Sequence, residues 1–244
     1  MSDSVLDGLS VAFAAIDGDA GVRSVVLAAA GERIFAAGAN LKELAETMRD
    51  PAAVEAHLAR TDAVFGAIAS VRQPVVAAVH APALGGGFEL VLACDFAVVD
   101  ETAELGLPEV GLGLIPGAGG TQRLSRRIGT QRALRAILLG ERLGATEALA
   151  LGAITAVAAP GSALADSRDL AARLAALPAA AAQNAKRAVA EGAELPLAEG
   201  LALERHLFAA TIQTADAREG VAAFIERRPP SFGPDQPSKE NGSE

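Results

Sequence analysis

Along the first two thirds of the chain, apolar positions switch repeatedly between helical spacing and short unbroken runs. Leu6, Leu9, Phe13 and Ile16 recur three or four residues apart, and "VRSVVLAAA", from Val22 to about Ala28, then reads as a buried strand. After Arg33 the segment "IFAAGANLKEL" passes from a short apolar run through Gly38 into a helical start. Pro51 sits where a first helical turn tolerates it, and Val54, Leu58, Phe65 and Ile68 mark one face of a long helix ending before Pro74. "PVVAAVHAPAL" is a strand and its exit, "GGGFELVLACD" a short helix, and "FAVVD" a strand. "AELGLPEVGLGLIPGAGG" is a strand running into a glycine-rich loop, "TQRLSRRIGTQRALRAILLG" two helices, and "AITAVAA" a last strand. Alternating strands and helices predict an α/β fold with parallel pairing. The rest is Ala/Leu/Glu/Arg-rich and helical, with breaks at Pro178 and Pro196, and the final dozen residues read as disordered.

Composition narrows the function classes. The 244 residues are 51% hydrophobic, enough for a substantial core. Acidic residues outnumber basic ones by 30 to 21, the net charge is −9, and no Lys/Arg run exceeds two residues, which argues against a nucleic-acid partner. The single cysteine, Cys94, lies in an apolar run and reads as a small buried hydrophobe. "MSDSVLDGLS" lacks the features of a secretory signal and no 18-residue apolar run suggests a membrane span, so a cytoplasmic protein without membrane association is expected.

The glycine-rich loops do not match nucleotide-binding patterns. "GLGLIP" from Gly111 has Pro116, and "GAGGTQ" from Gly117 has Gln122, where the dinucleotide fingerprint needs its third glycine. No phosphate-loop motif and no G-x-S-x-G elbow occurs, and His57, His80 and His206 stand far apart, reading as structural or surface residues without metal spacing.

What remains is carboxylates and backbone. In "ALGGGFELVLACDF" three glycines precede an apolar helix, so free N–H groups at Gly85 to Gly87 can face an anion, and Glu89 sits in the first helical turn. Twenty positions on, Glu109 follows Pro108 in another apolar stretch. A helix of eight residues carries the chain about 12 Å one way, and the following strand returns it roughly 15 Å, so the two carboxylates can converge. Convergent carboxylates in an apolar pocket split into an acid and a base able to add or remove water. From spacing alone, two surface or capping glutamates remain the alternative.

"IFAAGANLKE", "PVVAAVHAPALGGGFELVLACDFAVV", "AELGLPEVGLGLIPGAGGTQRL" and "EGVAAFIERRPPSF" together resemble the enoyl-CoA hydratase/isomerase (crotonase) superfamily, and within it the hydratase branch, from about Leu6 to Phe232. The resemblance implies a crotonase-like spiral of ββα repeats over residues 1–175, a C-terminal helical trimerisation region over 176–230, and a tail from 231. It implies a homotrimer or a hexamer built as a dimer of trimers. It also implies an acyl-CoA thioester substrate, with no metal and no cofactor beyond the coenzyme A of the substrate. Carried over position by position, the oxyanion-hole amides match Ala39 and Gly86, the water-activating glutamate matches Glu89, and the proton donor to the α-carbon matches Glu109. Substrate contacts match Ala37, Asn40, Leu41, Lys42 and Gly85, with Leu114, Ile115, Pro116 and Gly117 walling the acyl pocket and Phe224 and Arg227 reaching a neighbouring subunit's CoA.

The implied reaction is syn addition of water to a trans-2-enoyl-CoA, giving a 3-hydroxyacyl-CoA in fatty acid metabolism. Double-bond isomerisation of an enoyl-CoA, or acyl-CoA binding without turnover, are the alternatives. Three departures from the family pattern carry expectations of their own. Asn40 stands where the family usually has Asp, Arg227 where it usually has Lys, and two opening strands with a basic loop are missing ahead of the first helix, which predicts an exposed sheet edge and lowered CoA affinity.

Overall fold

The computed structural model describes residues 1–232, in two units, Met1–Ala171 and the part from Ala172 onward. The first unit opens with α1 (Asp3–Gly18), β1 (Val25–Ala28), α2 (Leu41–Thr47) and α3 (Pro51–Ser70). Next come β2 (Val75–Val79), β3 (Ala83–Leu84), α4 (Gly86–Ala93), β4 (Phe96–Asp100) and β5 (Glu104–Gly106). A 3-10 turn at Glu109–Leu112 leads to α5 (Gly120–Ile128), α6 (Thr130–Leu138), β6 (Leu143–Gly144), α7 (Ala145–Leu151), β7 (Ala156–Ala158) and α8 (Ala163–Ala175).

The strands sort into two sheets, one in the order β1-β2-β4-β7 and one in the order β3-β5-β6. All pairs of the first are parallel; in the second, β3 pairs parallel with β5 and β5 antiparallel with β6. Ala36 adds a parallel bridge to Ala83. The chain thus gives a strand to the first sheet, a short strand to the second, then helix, and repeats: β1, Ala36 and α2/α3; β2, β3 and α4; β4, β5 and α5/α6. These are the expected ββα turns.

Local sequence explains where the elements start and stop. β2 reads VVAAV and every residue in it is buried, as in parallel strands covered on both faces. Asp50 accepts from the Ala52 amide at 3.0 Å and Pro51 opens the first turn of α3, while Val64, Phe65 and Ile68 form its buried stripe. Phe65 and Ile68 are 1% and 0% exposed, and each contributes about 1.5–3 kcal/mol by leaving water. α4 is buried at all eight positions, an apolar core helix. Arg127 holds its far end, donating through Nη2 to the carbonyls of Leu92 and Cys94 at 2.9 Å each and through Nη1 to Ala153 at 3.0 Å.

Differences from the sequence reading are local. β1 begins at Val25 rather than Val22, because Asp19 folds the preceding chain into a turn, its Oδ1 accepting from the Gly21 amide at 2.7 Å. The stretch after β5 contains the 3-10 turn as well as loop, and β6 with α7 adds a two-residue strand and a seven-residue helix too short to leave a periodic signal.

The second unit contains α9 (Ala179–Gly192), α10 (Leu197–Thr211) and α11 (Ala215–Glu226), which start at the breaks expected from Pro178 and Pro196 and at Thr214. Gly192 and Gly200 let α9 and α10 approach closely, since a Cβ on Gly200 would lie 3.3 Å from the Gly192 carbonyl oxygen. Asn184 Nδ2 donates to Thr211 Oγ1 at 2.8 Å across the same pair. The helices leave Leu197, Phe208, Val221, Phe224 and Ile225 exposed. Of the tail expected to be disordered, Ser231 donates its amide to Glu219 Oε1 at 2.9 Å, and residues 233–244 lie outside the described residues. Among the described residues no helix is long and apolar enough to cross a membrane.

Candidate active site

The glycine triplet places the first carboxylate. Gly85 turns the chain with φ 55° and ψ −131°, a conformation reserved for glycine, and α4 begins on its far side with Glu89 in the first turn. Glu89 is 3% exposed. Its Oε1 accepts two backbone hydrogen bonds, from Ala118 N at 2.8 Å and Gly120 N at 2.7 Å. Those amides flank Gly119, whose left-handed conformation (φ 95°, ψ 6°) curls the loop before α5 into a backbone nest for an anion. The fit leaves no room for a side chain: a Cβ on Gly120 would sit 2.8 Å from Glu89 Oε1.

Glu109 comes from the 3-10 turn and is half-buried. Its Oε1 reaches over Gly85, to 2.7 Å from where a Cβ there would lie. Its Oε2 is buried with no hydrogen-bond partner. Both glutamates line one cavity of roughly 500 Å3, within the range of small-molecule sites, and its remaining wall is mostly apolar.

Burial pushes the Glu89 carboxyl up from its ordinary value, against the two amide hydrogen bonds from Gly120 and Ala118 and the nearby Arg123 charge, which favour the ion. Burial likewise pushes Glu109 up, against a hydrogen bond from its own backbone amide, and the charge of Glu89 pushes it further. Glu89, stabilised by two donors from the loop, is the carboxylate suited to stay ionised; Glu109, with its Oε2 buried without a partner and a negative neighbour facing it, is the one suited to keep a proton. The stability consequence has a definite sign. Between the ordinary value of 4.5 and the raised folded value, the native chain holds more protons than the unfolded one, so stability falls as pH rises through that window. Glu109→Gln cannot ionise and is expected to melt above the parent protein at about pH 8 but not at about pH 4. Thermal unfolding of both proteins at the two pH values measures the difference, and an equal difference at both would contradict the raised value.

Two backbone donors complete the arrangement. A Cβ on Gly38 would lie 3.2 Å from Gly86 N, so the strand exit carrying Ala39 passes directly against the start of α4. Among the described residues nothing accepts from the amide of Ala39 or of Gly86, and both residues line the cavity. Two uncommitted N–H groups and two carboxylates in an apolar cavity can stabilise a developing oxyanion while protons move beside it.

A family model described as enoyl-CoA hydratase/isomerase matches residues 1–235. The chain belongs to the enoyl-CoA hydratase/isomerase family. Its ββα spiral is the crotonase fold: enoyl-CoA hydratase subunit I of Geobacillus kaustophilus HTA426 superposes with a TM-score of 0.90 at 42% identity, covering 96% of this chain and 89% of that one. The enoyl-CoA hydratase of Bacillus anthracis superposes with a TM-score of 0.90 at 38% identity, covering 95% and 89%. In sequence, YngF of Bacillus subtilis, provisionally named an enoyl-CoA hydratase/isomerase, is 43% identical over 93% of this chain and 87% of its own. The mitochondrial enoyl-CoA hydratase of Pongo abelii is 34% identical over 95% and 78%.

Of the residues expected in the site of this family member, Ala37, Ala39, Leu41, Gly85, Gly86, Leu114, Ile115 and Gly117 line the cavity with the two glutamates. Asn40, Lys42 and Pro116 do not. Asn40 caps α2, its Oδ1 accepting from Lys42 N at 3.2 Å and its Nδ2 donating to Glu43 Oε1 at 2.7 Å. Lys42 is exposed on that helix. Pro116 is buried behind the wall, its Cβ 3.0 Å from where a Gly120 Cβ would be, so it packs against the Glu89 nest. Phe224, 86% exposed, belongs to α11 in the second unit, and Arg227 caps that helix with a left-handed φ of 56°.

The stretch "ETMRDPAAVEAHLART" reads as shaping an acyl tunnel without giving individual residues; the wall is supplied by Leu44, Thr47 and Met48 from α2 and its end, and by Val54, His57, Leu58 and Thr61 from α3. Val54 and Leu58 were visible as an apolar helix face, but the same stripe that faces a core can face a cavity. His57, read as structural or surface, is on that wall. The Ala118 and Gly120 donors themselves were not among the expected residues, although the resemblance places neighbouring Gly117 in the pocket wall. Among the described residues no cluster of three or more His, Cys, Asp or Glu side chains could hold a metal ion.

Proposed function

We propose that this family member is an enoyl-CoA hydratase. The thioester oxygen of a trans-2-enoyl-CoA accepts from the Ala39 and Gly86 amides, which draws electrons toward that oxygen and makes the β-carbon electrophilic. Glu89, ionised, takes a proton from a water that attacks the β-carbon; Glu109, protonated, delivers a proton to the α-carbon on the same face. Syn addition gives a 3-hydroxyacyl-CoA, and the transferred protons balance without any group beyond substrate, water and the pair. Coenzyme A enters only as part of the substrate. We further propose a cytoplasmic role in fatty acid metabolism and a homotrimer, alone or paired into a hexamer, that covers the exposed apolar positions of the C-terminal helices.

The observation that carries the reading is the second carboxylate. Moving a double bond from the 3- to the 2-position requires a group that shuttles a proton between two carbons, and one glutamate suffices. A second glutamate, held by two backbone amides so that one oxygen is committed and the ion favoured, is what activating a water requires. The test incubates the full chain with trans-2- and 3-enoyl-CoAs. Loss of the conjugated thioester's ultraviolet absorbance with the first supports hydration, appearance of that absorbance with the second means isomerisation, and binding with neither change means a non-catalytic acyl-CoA binder.

A further inference from the structure

Arg123 sits in the first turn of α5 and its guanidinium is spent in an unusual way. Nη1 donates to the Ala118 carbonyl at 2.8 Å. The group also lies against the Cα of Gly119: a Cβ there would be 2.2 Å from Nη1 and 3.1 Å from Cζ. Arg123 is half-buried, and among the described residues it forms no ion pair within 4 Å. A partly buried cation directed at one carbonyl is costly unless its charge is used nearby. The charged and titratable groups that it faces are Glu89 from α4, Asp62 from α3, Cys94 at the end of α4 and the like charge of Arg127 on its own helix; Glu89 in turn faces Arg123 and Glu109.

The peptide that Arg123 grips is the middle one of three. The Ala118 N–H belongs to the peptide before it and the Gly120 N–H to the peptide after it, and both bind Glu89 Oε1. Fixing the central peptide fixes how the two outer amides face each other, and so fixes the oxygen they hold. We propose that Arg123 is the positioning residue for Glu89: it locks the Ala118–Gly120 nest from its carbonyl side and adds a positive charge near the carboxylate that the nest holds. This rests on the hydratase reading, in which Glu89 is the base.

The experiment compares the parent chain with Arg123→Met, Arg123→Lys and, as a control on the same helix, the exposed Arg126→Met. Steady-state hydration of a trans-2-enoyl-CoA is measured across pH, and the Glu89 carboxyl is titrated by carbon NMR, assigned by its loss in Glu89→Gln. Arg123→Met is expected to lower kcat by roughly thirtyfold with KM within about twofold, since a base displaced by a fraction of an ångström reacts poorly while substrate contacts persist. The acidic limb of its profile, and the NMR midpoint of Glu89, should both move up, because a charge that favours the ionised carboxyl is gone. Arg123→Lys should restore the limb through its charge but recover kcat only in part, because an ammonium lacks the planar fork. A parent enzyme that hydrates, with an Arg123→Met variant that merely melts earlier while keeping kcat per folded chain, the limb and the midpoint, overturns the proposal. If Arg123→Met does not fold, an Arg123→Lys variant with parental kcat does the same. A parent that hydrates no enoyl-CoA defeats the hydratase reading instead, and the NMR midpoint then decides the role of Arg123 by itself.

Discussion

Glu109→Gln is expected to lower hydration of a trans-2-enoyl-CoA by roughly three orders of magnitude in kcat, the middle of the range for losing a positioned proton donor. The substitution keeps the shape of the side chain, so the cavity and its apolar wall stay as they are. What it removes is the proton. Glu109 Oε2 is buried without a partner, and both burial and the neighbouring Glu89 charge hold the carboxyl above its ordinary value. An amide in the same place can donate a hydrogen bond but cannot release a proton to carbon. KM should change little, because the thioester is held by the Ala39 and Gly86 amides. Initial rates from the absorbance of the conjugated thioester give both constants, and more than about a tenth of the parent kcat remaining would rule out Glu109 as the donor.

The parts of this site that were legible in the sequence share one property: each is a residue type unusual for its surroundings. A glutamate inside an eight-residue apolar helix and three consecutive glycines ahead of it stand out against a core pattern, and the rise of one helix and one strand suffices to bring Glu89 and Glu109 together. The α/β alternation was legible for the same reason, since strands such as VVAAV and helices such as α3 differ in period. The spiral itself was not. Period separates strand from helix but carries nothing about which sheet a strand joins, and β3, β5 and β6 are two or three residues long. The spiral came from the family motifs. The α3 wall was illegible because Val54 and Leu58 pattern as core positions whether the space before them is filled or empty. The nest around Glu89 was illegible because its donors are main-chain groups, which every residue has; only the left-handed Gly119 between them betrays it.

Replacing Gly87 by alanine is expected to destabilise the fold by about 3 kcal/mol or more, at the upper end for an overpacked site. Its neighbours in the triplet are glycine for other reasons, Gly85 for its backbone angles and the Glu109 oxygen over it, Gly86 for the Met1 and Gly38 atoms against it. At Gly87 the obstacle is main chain: a Cβ would lie 2.2 Å from the Ala36 carbonyl oxygen and 2.6 Å from its carbon. A side chain could rotate away, but Ala36 is bridged to Ala83 and its oxygen accepts from Leu84 N at 2.9 Å. Relief therefore requires moving α4 off the second sheet or opening that bridge, and either carries the Ala39 amide away from Gly86. Stability and turnover should consequently fall together in Gly87→Ala. Gly66→Ala provides the contrast, since a Cβ in the interior of α3 meets nothing within 4 Å and should stabilise by up to about 1 kcal/mol through helix propensity. Urea unfolding midpoints of the two variants measure the difference, and a Gly87→Ala midpoint equal to the parent's would mean that α4 does not press on the Ala36 strand as closely as this site requires.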